Sequence, residues 1–163
     1  MRWRRWLADL AGGLLVAAFV GSSAATGWFY WDRVQTRGEE AARAILPKLA
    51  AREIPQVFAY DYQTVERSLA EAYQLLTPAY RQEFRKSADA QIIPEAKKRE
   101  VVVQANVVGV GVMSSQRDSA SVMVYMNRTV TDKSRQPLYD GSRLRVDFKK
   151  IGKQWLINYI TPI

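Results

Sequence analysis

The sequence predicts an α+β domain carried behind one membrane-spanning helix, with two to three helices packed on a curved four-stranded antiparallel sheet. Three observations predict it. The residues Leu10 to Trp31 form an unbroken run without a charged side chain. Between about 33 and 90 the apolar residues recur at helical spacing, and from Glu100 onward they alternate. Helices first and strands afterwards imply an α+β fold with the helices on one face of the sheet.

The first run reads LAGGLLVAAFVGSSAATGWFYW, 22 residues bracketed by Asp9 and Asp32. As a helix rising about 1.5 Å per residue it is about 33 Å long, enough for a bilayer core. Arg2, Arg4 and Arg5 precede it, and basic residues beside a first span stay cytoplasmic. Trp3 and Trp6 at one end and Trp28 to Trp31 at the other match interfacial aromatic belts. The expected organisation is a cytoplasmic leader over 1–9, a transmembrane helix over 10–31, a membrane-proximal helix over 32–54 and an extracytoplasmic domain over 55–163. The protein is then single-pass in the inner (plasma) membrane. A cleaved signal peptide, with Ser23-Ala24-Ala25 as the cleavage site, is the competing reading, and it too exports the C-terminal part.

Arg33 to Arg52 is rich in Ala, Glu and Arg and reads as helix, with Ile45 and Leu49 on one face and a bend expected near Pro47. Pro55 marks a further break. Asp61 or Thr64 is placed to cap the next helix, in which Val65, Leu69, Tyr73 and Leu76 form one stripe. Thr77-Pro78 restarts the chain as a helix to about Ala90, since Thr is a good N-cap and Pro suits the first helical position. Pro94 is expected to end it. Val101, Val103, Ala105 and Val107 then share one face of a strand reaching about Met113, with Gly109 and Gly111 suggesting a bulge. A second strand covers Ala120 to Thr131, with Val122, Val124, Met126 and Val130 on one face and Met123 and Tyr125 on the other. A polar loop runs from Asp132 to Gly141. Leu144, Val146 and Phe148 point inward in the third strand, and Gln154 to Ile160 is the last.

Composition narrows the chemistry. The chain has 163 residues, no cysteine and no histidine. Disulfides, thiolate sites, the commonest general base and the usual zinc ligand are therefore excluded. Gly-rich phosphate loops and nucleophile-elbow patterns are missing from the sequence as well. No catalytic residue, metal or cofactor is assigned, although Asp61 and Glu66 remain a carboxylate pair. The formal net charge of +8 suits an acidic partner or anionic head groups, while export argues against nucleic acid.

Several segments in order resemble the Mce-associated membrane proteins of actinobacteria, Mce standing for mammalian cell entry. They are FAYDYQTVERSLAEAYQLLTPAYRQEF, IIPEAKKREVVVQANVVGVGV, ASVMVYMNRTVT and KQWLINYITPI. Within them the likeness rests on Tyr60-Asp61-Tyr62, Leu76-Thr77 with Tyr80, Ala96-Lys97-Lys98 and Trp155. It departs at Pro78, where the pattern expects glycine, and at Pro47 and Pro55. The resemblance implies a cone-like domain and a non-catalytic accessory subunit that anchors to and stabilises an Mce-type lipid import complex, with permease or Mce proteins and membrane lipid as partners. An assembly factor of a secretion or conjugation machine with a similar periplasmic domain is the alternative, and a small-ligand-binding cone-fold protein is the third.

Interaction sites follow. Gly13, Ala17, Gly21 and Ala25 recur every four residues and make a small-residue stripe suited to helix docking in lipid, unless the abundance of alanine and glycine aligns them by chance. Asp61 and Tyr62 are candidate partner contacts, with a helix cap over packed tyrosines as the plainer reading. Lys97, Lys98 and Arg99 form a basic run before the first strand, a candidate contact for head groups or an acidic partner, with a solvated edge as the plainer reading. Tyr80, with Tyr73, Phe84 and Tyr125, either lines a pocket between helices and sheet or packs the core. Trp155 and Phe148 are expected in the core.

Overall fold

A computed structural model describes Arg33, Val34 and residues 36–163. The expected span Leu10–Trp31 and its stripe Gly13, Ala17, Gly21 and Ala25 lie outside the described residues. Among those described, no helix is long and apolar enough to cross a membrane. The compact unit is Gly38–Ile163.

Its first helix, α1, is helical over 36–58. Ala42, Leu46, Ala50, Ile54 and Val57, spaced four, four, four and three, form a stripe buried in the core. The predicted Ile45–Leu49 face is the neighbouring one, at the rim: Ile45 is 50% exposed. Neither proline breaks the helix. It continues past Pro47 and Pro55 and closes where Ala59 N donates to Pro55 O at 2.8 Å. Each proline forfeits one backbone bond, and the continuous buried stripe offsets that loss. Residues 38–54 thus pack as part of the domain.

After β1 (Tyr60–Asp61), α2 spans Val65–Ala72 and ends in a tighter turn, Tyr73–Leu75. The predicted stripe holds, with Val65, Leu69, Tyr73 and Leu76 all buried. The predicted cap does not. No side chain caps α2; instead Asp61 Oδ1 accepts from Gln63 N at 2.8 Å, closing a turn one step earlier. Helix α3 spans Pro78–Ser87, and Thr77 Oγ1 accepts from Tyr80 N at 3.5 Å, as the Thr-Pro pair predicts. A wide turn of π geometry, Ala88–Ile92, leads into α4, Ile93–Arg99. Pro94 therefore does not terminate the helical run: it lies in the first turn of α4, where a missing N–H costs least. Glu100, in the left-handed region at φ 54°, ends it.

The strands are β2 (Val102–Ser115), β3 (Ser119–Thr131), β4 (Leu138–Ile151) and β5 (Gln154–Pro162). With β1 they make a five-stranded antiparallel sheet in sequence order. The fifth strand was unforeseen because β1 has two residues, paired with Val102 and Val103. Strand β4 begins at Leu138, inside the predicted loop, pairing Leu138 with Val130. The sheet is curled by interruptions of register at Val108 and Met113 in β2 and near Asn158 in β5. The two β2 bulge residues turn outward, 59% and 52% exposed. Beyond Val103, no described strand pairs with β2 on its outer side. The β5 edge is partly covered, since Thr77 N donates to Ile157 O at 2.9 Å.

The core lies between the helices and the inner sheet face. Val122, Val124 and Met126 of β3 and Leu144, Val146 and Phe148 of β4 are essentially inaccessible, as alternation predicts. Each such side chain contributes on the order of 1.5–3 kcal/mol by leaving water. Trp155 is not core: it is half-buried, with Lys150 Nζ 5.8 Å from its ring centroid. Its indole is amphipathic, and the hairpin end leaves one side of it wet. Gly38 of α1 lies close against the β2–β3 turn; a Cβ there would stand 3.3 Å from Arg117 Cα.

Candidate functional site

Along β3 the inward positions read Ala120, Val122, Val124, Met126, Arg128 and Val130. Five are apolar and the sixth is a guanidinium. Register places Arg128 directly opposite Asp140 of β4. Arg128 Nε donates to Asp140 Oδ2 at 3.2 Å, Nη2 donates to the same oxygen, and Ser142 Oγ donates to it at 3.1 Å. These bonds, Arg128 first and Ser142 second, hold the Asp140 carboxyl below the usual range. The guanidinium carbon also lies 6.0 Å from the Phe58 ring centroid.

This pair sits on a cleft of about 490 Å³ between helices and sheet. Val57, Phe58, Leu69, Phe84 and Ile92 line it from the helical side. Val103, Val130 and Leu138 line it from the sheet, and Tyr60, Tyr139 and Asp140 join Arg128 as its polar groups. Burial raises the Tyr60 pKa, opposed by the charge of Arg128. A second chamber of about 220 Å³ shares Phe58, Phe84 and Arg128 and reaches Met126, Leu144 and Ile160. Such a volume, mostly apolar with a few convergent polar groups, is the usual form of a small-molecule site. Sequence reading missed Arg128 and Asp140. The signal was a lone cation at an inward position of an otherwise apolar strand.

Phe84 lines both chambers and Tyr80 lines the smaller. Tyr80 packs at a tilt against Phe84 and Tyr159, centroids 6.1 and 5.1 Å away, and burial raises its pKa against a backbone hydrogen bond from Ile160. Tyr73 meets Phe84 edge-on and is core. Tyr125 lies on the opposite face of the sheet, over Gly109. Asp61 is engaged in its turn, and the Tyr62 hydroxyl accepts from Gln63 Nε2 at 3.1 Å. The basic run is divided: Lys97 pairs with Glu66 at 2.6 Å, Arg99 with Asp132 at 2.7 Å, and Lys98 is exposed. Asp61 and Glu66 therefore have separate partners and form no acid–base pair. Among the described residues no three carboxylates converge as a metal site.

A second surface lies between α1 and the β4–β5 hairpin. This groove of about 420 Å³ combines Ile45, Leu49 and Trp155 with Arg52, Lys150 and Lys153. Glu53, buried beside it, has its pKa raised by desolvation against the opposing pull of Arg52, 3.3 Å away.

No protein-family model matches the chain. It is 26% identical over 158 residues to the outer membrane protein Rv1973 of Mycobacterium tuberculosis, covering 97% of this chain and 99% of that one. A second protein of that organism, Rv1362c, is 27% identical over 154 residues, covering 92% of this chain and 70% of the relative. Among solved structures, an IcmL-like type IV secretion system protein from Legionella pneumophila superposes with a TM-score of 0.64 at 13% identity, covering 74% of this chain and 93% of that one. The periplasmic domain of DotI gives 0.64 at 11%, covering 74% and 94%. CagV from Helicobacter pylori, a VirB8 homologue, gives 0.59 at 7%, covering 73% and 96%. At these identities the likeness is one of fold: helices on a curled antiparallel sheet, the cone-like architecture of VirB8-type periplasmic domains.

Proposed function

We propose that this protein is a non-catalytic, membrane-tethered subunit whose domain, on the extracytoplasmic side, holds other proteins of an envelope-spanning machine together. The observation that carries this reading is the shared fold. About three-quarters of the chain matches nearly the whole of several periplasmic domains from type IV secretion systems. The uncharged run Leu10–Trp31 with its arginine flank supports the tether, with a single pass and a cytoplasmic N-terminus. A secretion-machine component is the form of this function that the fold favours.

An accessory role in Mce-type lipid import is the second reading. It is favoured by the ordered segments described above and by the mycobacterial relative that matches nearly end to end. Here lipid-transport subunits would replace secretion subunits as the partners. The fold favours the first reading, and it does not name the partners.

The test is affinity purification of the tagged full chain from its native membrane in mild detergent, paired with a deletion strain. Co-purifying secretion subunits and a secretion defect support the first reading. Co-purifying permease or Mce subunits and reduced fatty-acid uptake support the second. A protein released by carbonate washing, with both processes intact in the deletion strain, overturns the proposal.

A further inference from the structure

We propose that the cleft beside Arg128 binds one long aliphatic chain whose polar end is uncharged, such as a fatty alcohol or the esterified acyl chain of a larger lipid. This inference is independent of which machine the protein serves.

The shape argues for a chain. The larger chamber touches β2 at Val103, β3 at Val130 and β4 at Leu138. The smaller continues across β3 at Met126, β4 at Leu144 and β5 at Ile160. The two adjoin at Phe58, Phe84 and Arg128, and laid end to end they trace an elongated trough from β2 to β5 rather than a compact bowl. Apart from Arg128, Asp140, Ser142 and the tyrosines Tyr60, Tyr80 and Tyr139, its walls are aliphatic and phenyl groups, which leave most of the polar groups of a hydroxyl-rich or multiply charged ligand unsatisfied. An alkyl chain needs no partner there.

The polar groups argue for an uncharged end. Among the described residues Arg128 is the one cation on the lining of the trough, and Asp140 already neutralises it through Nε and Nη2. A carboxylate arriving at Arg128 would face the Asp140 carboxylate, and like charges at that distance disfavour each other. A hydroxyl or ester oxygen meets no such opposition. Of the five N–H donors of Arg128, Asp140 takes two, and Tyr60 lines the same chamber.

The inference fixes a charge switch. Removing the charge of Asp140 frees Arg128 for an anionic end group. The experiment uses the full chain in zwitterionic nanodiscs, photolabelled with diazirine-bearing hexadecanol or hexadecanoate at neutral pH, with labelled peptides mapped by mass spectrometry. The expected result is hexadecanol label on peptides carrying Phe58, Phe84 or Leu138, competed by unlabelled hexadecanol and at least about threefold stronger than hexadecanoate label. Val130→Trp, which fills the larger chamber, is expected to cut labelling at least about fivefold in protein that still melts cooperatively. Asp140→Asn is expected to reverse the preference toward hexadecanoate. Label confined to residues 1–37, or undiminished in folded Val130→Trp protein, overturns the site. An unchanged preference in Asp140→Asn overturns the uncharged end group, and that variant decides the point even if Val130→Trp does not fold.

Discussion

Thr77 and Asn158, 81 residues apart, are hydrogen-bonded through their side chains at 3.3 Å. The contact joins the N-terminus of α3 to the point where β5 loses register with β4. Thr77 is buried, and its hydroxyl both donates to Asn158 and accepts from Tyr80 N. One oxygen thus sets where α3 starts and where it rests on the sheet. Thr77→Ala is expected to cost about 1–2 kcal/mol, the cost of losing a buried cap. Thr77→Ser, which keeps the oxygen, is expected to lose less than half of that. Urea denaturation with a common slope measures both.

Glu53 gives a pH-dependent prediction of definite sign. Its carboxyl is buried and its pKa lies above the ordinary 4.5. The proton is bound more tightly in the folded state, so its stabilisation is fully present below 4.5 and is lost as pH rises through the folded value. Glu53→Gln is therefore expected to raise the thermal midpoint at pH 7, with the gain vanishing near pH 4. The pairing with Arg52 is a small counterweight, because that guanidinium is largely solvated. A midpoint unchanged at pH 7 would contradict the prediction.

Asp132 behaves in the opposite way. Its pKa is lowered from 3.8 to about 2, first by the hydrogen bond from Arg99 and then by those from Ser134. Its contribution is present above 3.8 and is lost as pH falls through about 2. Asp132→Asn is expected to lower the midpoint at pH 7 and to converge on the parent protein as pH falls below about 2. Because the pair is exposed, added salt should shrink the difference at pH 7. Differential scanning calorimetry across pH and salt reads both effects.

Two glycines should respond differently to added bulk. A Cβ at Gly38 meets Arg117 Cγ at 3.0 Å and its Cα at 3.3 Å, whereas a Cβ at Gly111 meets nothing within 4 Å. Gly111→Ala is expected to leave stability unchanged or raise it by up to about 1 kcal/mol, through the unfolded chain's lost freedom. Gly38→Val is expected to lower the thermal midpoint, because the turn after β2 must move aside. Comparison of the two melts separates crowding from backbone entropy.

Much of this architecture was readable where one periodicity acted alone. Val65, Leu69, Tyr73 and Leu76 share a stripe, Leu144, Val146 and Phe148 share a face, and Thr77-Pro78 opens a helix. In α1 two signals competed: prolines argued for a break while Ala42, Leu46, Ala50 and Ile54 argued for continuity, and burial prevailed. Alternation alone already turns Tyr125 to the outer face, away from the pocket and the core, where it is 45% exposed. The Arg128–Asp140 pair was harder. Asp140 became a partner only once β4 began at Leu138, and that register depends on pairing between strands rather than on local sequence. The two-residue β1 carries no periodicity at all.

The bulges of β2 bear on how the domain lives beside its neighbours. Past Val103 that strand leaves a row of peptide groups with no described strand alongside. A straight, flat margin of this kind templates polymerisation. Val108 and Met113 each add a residue that puts the ladder out of step, so an incoming polypeptide falls out of phase after a few peptides. Many copies can then stand side by side at high local concentration without zipping into fibres through this margin.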